Sequence, residues 1–239
     1  MEIVTLESGA KYVNVDVSTP TGIERAKKLG LVKSHMADVA LTSYLKEIAE
    51  VLFDDPTTKT KDSPRGRCFT LLRHPVRRAV SMFYYLQIAD WEETYHPKWQ
   101  SMTLEDYASS IYIENDWMTR MLVGKISGDI LTDDELQLAK DILKNKCLIG
   151  ILDNDHLEES LLRFETYFTW NSKSNMKDRL SCQKEVLNRG GDNSHSHPHI
   201  EENSDVWNQI AQHNVHDLEL FNYALELYEE QTKLFQSKK

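Results

Sequence analysis

The stretch Cys68-Phe69-Thr70-Leu71-Leu72-Arg73-His74-Pro75-Val76-Arg77-Arg78-Ala79-Val80-Ser81-Met82-Phe83-Tyr84-Tyr85-Leu86 constrains this chain most, because it turns from strand to helix within a few residues. An apolar run of strand length ends at Arg73. Pro75 then stands where a helix can begin, since its fixed φ suits the first helical position and its missing N–H is not needed there. Beyond it the period is helical: Val76, Val80, Phe83 and Gln87 fall on one side, and His74, Arg77, Arg78, Ser81 and Tyr85 on the other. A helix N-terminus offers unpaired N–H groups and a partial positive charge. With Arg73 at the strand end and Ser81 two turns along, the segment reads as a cradle for a phosphate group.

Arg73, Pro75 and Ser81, following an apolar strand and followed by Phe83-Tyr84-Tyr85-Leu86, resemble the 3′-phosphate-binding segment of sulfotransferases that use 3′-phosphoadenosine 5′-phosphosulfate (PAPS). The resemblance is to the carbohydrate type, with His74 where the motif often carries Asp. It continues through Glu114-Asn115-Asp116-Trp117-Met118-Thr119-Arg120-Met121-Leu122, Cys147-Leu148-Ile149-Gly150 and Leu157 to Trp170, so that it spans Cys68 to Trp170. It implies that Arg73 and Ser81 hold the nucleotide's 3′-phosphate, and that the segment bearing Asn115 and Arg120 lines the cofactor or acceptor site. It also implies PAPS as co-substrate, a carbohydrate hydroxyl as acceptor, and a parallel sheet flanked by helices of the P-loop nucleotide-binding type. Members of the family commonly place a His at the end of an early strand, which makes His35 the candidate catalytic base.

The family's Lys-bearing, Gly/Ser/Thr-rich loop for the 5′-phosphosulfate has no counterpart before Arg73. Glu7-Ser8-Gly9-Ala10-Lys11 is the nearest approximation, in the wrong order and context. The expectation is a domain shortened at its N-terminus or diverged there, with nucleotide binding kept and transfer slowed. A catalytically impaired nucleotide- or glycan-binding relative is therefore the alternative reading. Family members are held in the Golgi by an upstream anchor, and a Golgi location would apply if such an anchor precedes this chain.

At 239 residues the expectation is one domain, 1–239, able to bury a sizeable core. No apolar run approaches the ~20 residues that span a bilayer, and Met1 to Pro20 lacks the basic start and apolar middle of a signal peptide. The net charge of −10 argues against a nucleic-acid binder. Its distribution is uneven, however. From Lys59 to Arg78 there are seven Lys or Arg and one Asp, which suits capture of a small polyanion or simply a solvated basic loop. Of the three cysteines, Cys68, Cys147 and Cys182, the first two lie in apolar runs and read as small core residues.

In chain order, Lys11 to Val17 alternates as a strand, and Thr21 or Gly22 opens a helix through Leu29 that Gly30 stops. Leu31 to Met36 is expected as a second strand and Asp38 to Phe53 as a helix. A charged, Pro-containing connection leads to Cys68. Thr103 caps a helix with Asp106 as its acidic partner, Asn115 to Val123 is a helix ended by Gly124, and Thr132 to Asn145 is another. Lys146 to Leu152 is a strand and Asp155 to Phe168 a helix. Asn171 to Asn203 reads as a long loop, and Val206 to Phe235 as one or two helices. The sum is α/β with parallel strands.

Arg77 and Arg78 share the basic face and are candidates for the same phosphate, or ordinary solvated arginines. Trp91 and Trp99 offer aromatic faces for a base or sugar, or fill the core of their loop. His195, His197 and His199 alternate along an extended segment and suggest a metal-binding or interaction role as a further alternative. No metal is assigned.

Overall fold

The computed structural model describes residues 1–7, 9–53, 66–92, 95–126, 128, 130–170, 181, 184 and 198–236. Its elements in chain order begin with strands β1 (Ile3–Thr5) and β2 (Lys11–Val13) and helices α1 (Pro20–Lys28), α2 (Leu31–Ser34) and α3 (Leu45–Ile48), the last widened into a π turn over Ala49–Phe53. Strand β3 (Cys68–Leu72) and helices α4 (Pro75–Leu86), α5 (Leu104–Ala108), α6 (Trp117–Val123) and α7 (Asp133–Lys146) follow. Strand β4 (Cys147–Ile151) and helices α8 (Leu157–Phe168), α9 (Asp205–Gln212), α10 (Val215–Gln231) and α11 (Lys233–Gln236) complete it. The protein is thus mixed α/β, with small sheets accompanied by helices. No helix among the described residues is long and apolar enough to cross a membrane. The chain divides into two compact units, residues 1–67 with 118–139, and residues 68–117 with 140–239.

In the first unit β1 and β2 form an antiparallel pair from Ile3↔Val13 to Thr5↔Lys11. Thr19 caps α1, its Oγ1 accepting from the Gly22 N–H at 3.1 Å, and Ile23 and Ala26 are the buried side of that helix. Gly30 then takes φ 72, a left-handed conformation open to glycine at little cost. That reversal lets the chain restart as α2, which corrects the expected strand over Leu31 to Met36: only Leu31 is buried there, and Ser34 Oγ donates back to the Leu31 carbonyl at 2.7 Å. The helix expected from Asp38 forms only from Leu45, and Val39 and Leu41 in the stretch before it are exposed.

In the second unit β3 and β4 pair in parallel, in register from Cys68↔Cys147 to Leu72↔Ile151. Registered neighbours share a face of the sheet, so Cys68 and Cys147 meet and form a disulfide, with their Cα atoms 4.5 Å apart. The reading of these two as separate core thiols is corrected by that pairing. All five residues of β4 are buried. Its outer edge is closed by helix side chains: Gln231 accepts from Ile149 N and donates to Cys147 O, both at 2.9 Å, and Ser160 Oγ accepts from Ile151 N at 3.0 Å.

α8 covers one face of the pair, where Phe69 lies 4.9 Å from Phe164 between ring centres, and Gly150 leaves room for the Phe164 ring that a Cβ would fill. α8 is fastened to α10 by the buried Arg163, which donates to the Tyr228 carbonyl at 2.6 Å and lies 3.7 Å over the Tyr228 ring. The apolar side of α4 supplies the core, with Val76, Ala79 and Val80 against Trp207 and Ile210, and Phe83 and Leu86 against Trp99 and Tyr107. Full burial of a side chain the size of Phe83 is worth roughly 1.5–3 kcal/mol. The helical period read from the sequence is thus the packing period of the helix that carries the basic face.

Candidate functional site

β3 ends at Leu72, Arg73 and His74 form the turn, and α4 starts at Pro75. His74 occupies the N-cap position, but its side chain makes no capping hydrogen bond. Its carbonyl accepts from the Arg78 N–H at 2.9 Å, while the N–H groups of Val76 and Arg77 have no acceptor within the helix. The β3–β4 pairing continues past the strand ends, Leu152 N donating to Leu72 O at 2.7 Å, so the turn sits at the carboxyl edge of a parallel pair.

Three guanidinium groups gather at this edge, and the structure treats them differently. Arg77 is exposed and pairs with Glu202 at 2.6 Å. Arg78 is mostly buried, meets both carboxylate oxygens of Glu114 at 3.3 and 2.8 Å, and lies 4.6 Å over the Trp117 ring. Arg73 is half-buried and makes no hydrogen bond or ion pair with any described residue. Burial first, then the charges of Arg77 and Arg78, push its guanidinium below the ordinary arginine value. A half-buried cation facing two like charges with no counter-ion of its own is a standing demand for an anion.

Ser81 lies one turn beyond Arg77 and Arg78 on the same side of α4, partly buried, its hydroxyl likewise without a partner among the described residues. The imidazole of His74 is wedged between Trp207, 5.0 Å between ring centres, and Phe221, at 5.5 Å. Its Nδ1 is buried with no hydrogen-bond partner among the described residues. Burial, and next the charge of Arg77, hold its pKa below the ordinary histidine value against the opposing pull of Glu202.

His35 follows α2 at φ 51, exposed, in the first unit, so the strand end that made it a candidate base is absent there. Asn115 is exposed in the loop before α6 and belongs to the second unit, whereas Arg120 is buried in α6, belongs to the first, and donates to the Lys125 carbonyl at 3.5 Å. Trp99 is core, packed against Phe83 and Tyr107, and Trp91 is exposed. His195, His197 and Cys182 fall outside the described residues. His199 is exposed and, with Tyr84, Thr103, Glu105, Glu201 and Asp205, lines a cleft of about 610 Å³ on the far half of α4. That lining includes no Lys or Arg and three carboxylates, which makes it unsuited to an anion. Sequence reasoning missed Glu114 and Glu202, the two acids that neutralise Arg78 and Arg77, whereas Arg73 has no counter-ion among the described residues.

Comparison of the chain with protein-family models, with curated proteins and with solved structures returns no match.

Proposed function

We propose that this protein binds the 3′-phosphate of PAPS at the β3–α4 turn and serves sulfuryl transfer to a carbohydrate hydroxyl, on an α/β fold of the sulfotransferase kind. The observation that carries the reading is Arg73: a half-buried guanidinium at the carboxyl edge of a parallel pair, beside the free N–H groups of a helix start, with no counter-ion among the described residues. A phosphate dianion satisfies all of these at once. Ser81, one turn past the neutralised Arg77 and Arg78, supplies a hydroxyl to the same group. The resemblance of Arg73, Pro75 and Ser81 to the family segment makes that phosphate a nucleotide 3′-phosphate.

The Cys68–Cys147 disulfide fits an oxidising compartment such as the Golgi lumen, where the family works. Calorimetric titration with adenosine 3′,5′-bisphosphate and with adenosine 5′-phosphate tests the assignment. The bisphosphate should bind at least about tenfold more tightly, as charge-assisted hydrogen bonds to one extra phosphate require; equal affinities overturn it.

A further inference from the structure

The loop after β4 carries a second polar constellation at the same carboxyl edge. Asp153 Oδ1 accepts the backbone N–H groups of Asp155 at 3.0 Å and His156 at 2.8 Å, which fixes the loop. The same carboxylate meets His156 Nδ1 at 2.8 and 2.9 Å through its two oxygens. Burial acts to raise the Asp153 carboxyl, but the hydrogen bonds from the His156 side chain and backbone outweigh it and hold the group below its ordinary value, as an ionised acceptor. A carboxylate only accepts, so it selects the tautomer with hydrogen on Nδ1. Nε2 then carries the lone pair. It has no partner among the described residues, and the side chain is 33% exposed.

Leu72 and Ile151 are registered partners and Leu152 N still bonds Leu72 O, so the loops that begin at Arg73 and Asp153 leave the sheet side by side. The ring of His74 packs on Phe221 and that of His156 packs edge-on to Tyr228 at 5.4 Å, both on α10. Seven residues separate Phe221 from Tyr228, about 10 Å of rise along one face of the helix, so the two imidazoles pack against rings two turns apart. A nucleotide anchored at Arg73 by one phosphate reaches across a gap of that size with its other end.

We infer that His156 is the proton acceptor for the attacking hydroxyl, with Asp153 as the positioning residue that fixes its tautomer, in place of His35; the inference rests on the nucleotide reading above. In the step, the acceptor oxygen forms a bond to sulfur as the bond from sulfur to the bridging oxygen of the 5′-phosphate breaks. The hydroxyl proton passes to Nε2, and adenosine 3′,5′-bisphosphate leaves with the electron pair.

The experiment is single-turnover transfer from radiolabelled PAPS to a panel of unsulfated glycosaminoglycan chains across pH 5 to 9, with the affinity for adenosine 3′,5′-bisphosphate measured alongside. His156→Gln should bind the bisphosphate as the wild type does, transfer ~10²–10⁴-fold more slowly, and lose the rise of rate with pH. Asp153→Asn is the second variant. Its carbonyl can still accept the two loop N–H groups while its amide donates toward Nδ1, which imposes the wrong tautomer and should slow transfer at unchanged bisphosphate affinity. Transfer at the wild-type rate in His156→Gln overturns the inference. So does a wild-type protein that binds the bisphosphate yet sulfates no acceptor, and in that case nucleotide binding stands. A wild-type protein that fails to bind the bisphosphate overturns the nucleotide reading itself, and the assigned base with it.

Discussion

The amide of Gln231 pairs with the backbone of β4 as a neighbouring strand would, accepting from Ile149 N and donating to Cys147 O, both at 2.9 Å. An edge strand presents unpaired N–H and C=O groups that invite association. Here a helix side chain two residues wide in hydrogen-bond terms closes part of that edge, and Ser160 closes more of it at Ile151.

Gln231→Leu should therefore destabilise the protein by roughly 2–4 kcal/mol, since it leaves two buried backbone groups unpaired. Urea unfolding checks this, with the Gln231→Glu variant intermediate: it still accepts from Ile149 N but loses the donor to Cys147 O. A Leu variant as stable as the wild type would show that the edge does not depend on Gln231.

The disulfide joins residues 79 apart in sequence. Replacing both cysteines with Ser should lower stability by about 4 kcal/mol on the loop-entropy account. Peptide mapping without reductant should recover the Cys68 and Cys147 peptides joined, and reductant should separate them.

Glu202→Ala should tighten the bisphosphate two- to fivefold at low salt, because it releases the exposed Arg77 toward the same edge. The gain should vanish in Arg77→Ala and fade as salt rises. Arg78→Ala is a poor probe by comparison, since it strands Glu114, which is largely buried.

His74 gives the site a pH signature. Its folded pKa lies below the unfolded value of about 6.5, so the native state carries fewer protons in that window. The stability it contributes is present above the unfolded pKa and is lost as pH falls through the folded one. Thermal unfolding followed from pH 7 to pH 5 should show that loss, and His74→Phe, which keeps an aromatic ring between Trp207 and Phe221, should lose less. Bisphosphate should move the His74 titration upward, because an anion nearby favours the imidazolium. Histidine NMR would follow it.

What was legible in the sequence is local in origin. Pro75 one step inside α4, the helical period from Val76 to Phe83, and the reciprocal Thr103–Asp106 capping box are all written within a few residues, and each forms as read. Arg73 was legible as a strand-end charge for the same reason. The partners that define its surroundings were not, because Arg77 meets Glu202 across 125 residues and Arg78 meets Glu114 across 36, and neither acid carries a local mark. The Cys68–Cys147 pair needed the register of two strands, which apolar runs alone do not specify. Leu31 to Met36 misled because a short apolar run fits either element, and Gly30 at positive φ decided for the helix.

The central claim is that Arg73 holds a nucleotide 3′-phosphate, and its most direct measurement is calorimetry of adenosine 3′,5′-bisphosphate and adenosine 5′-phosphate on the wild type and on Arg73→Ala. Loss of a charged hydrogen-bond partner is worth about 1.5–3 kcal/mol, or roughly 10- to 150-fold. The variant should lose that much affinity for the bisphosphate and little for the monophosphate, so that the preference between them collapses. A preference that survives in Arg73→Ala would contradict the account.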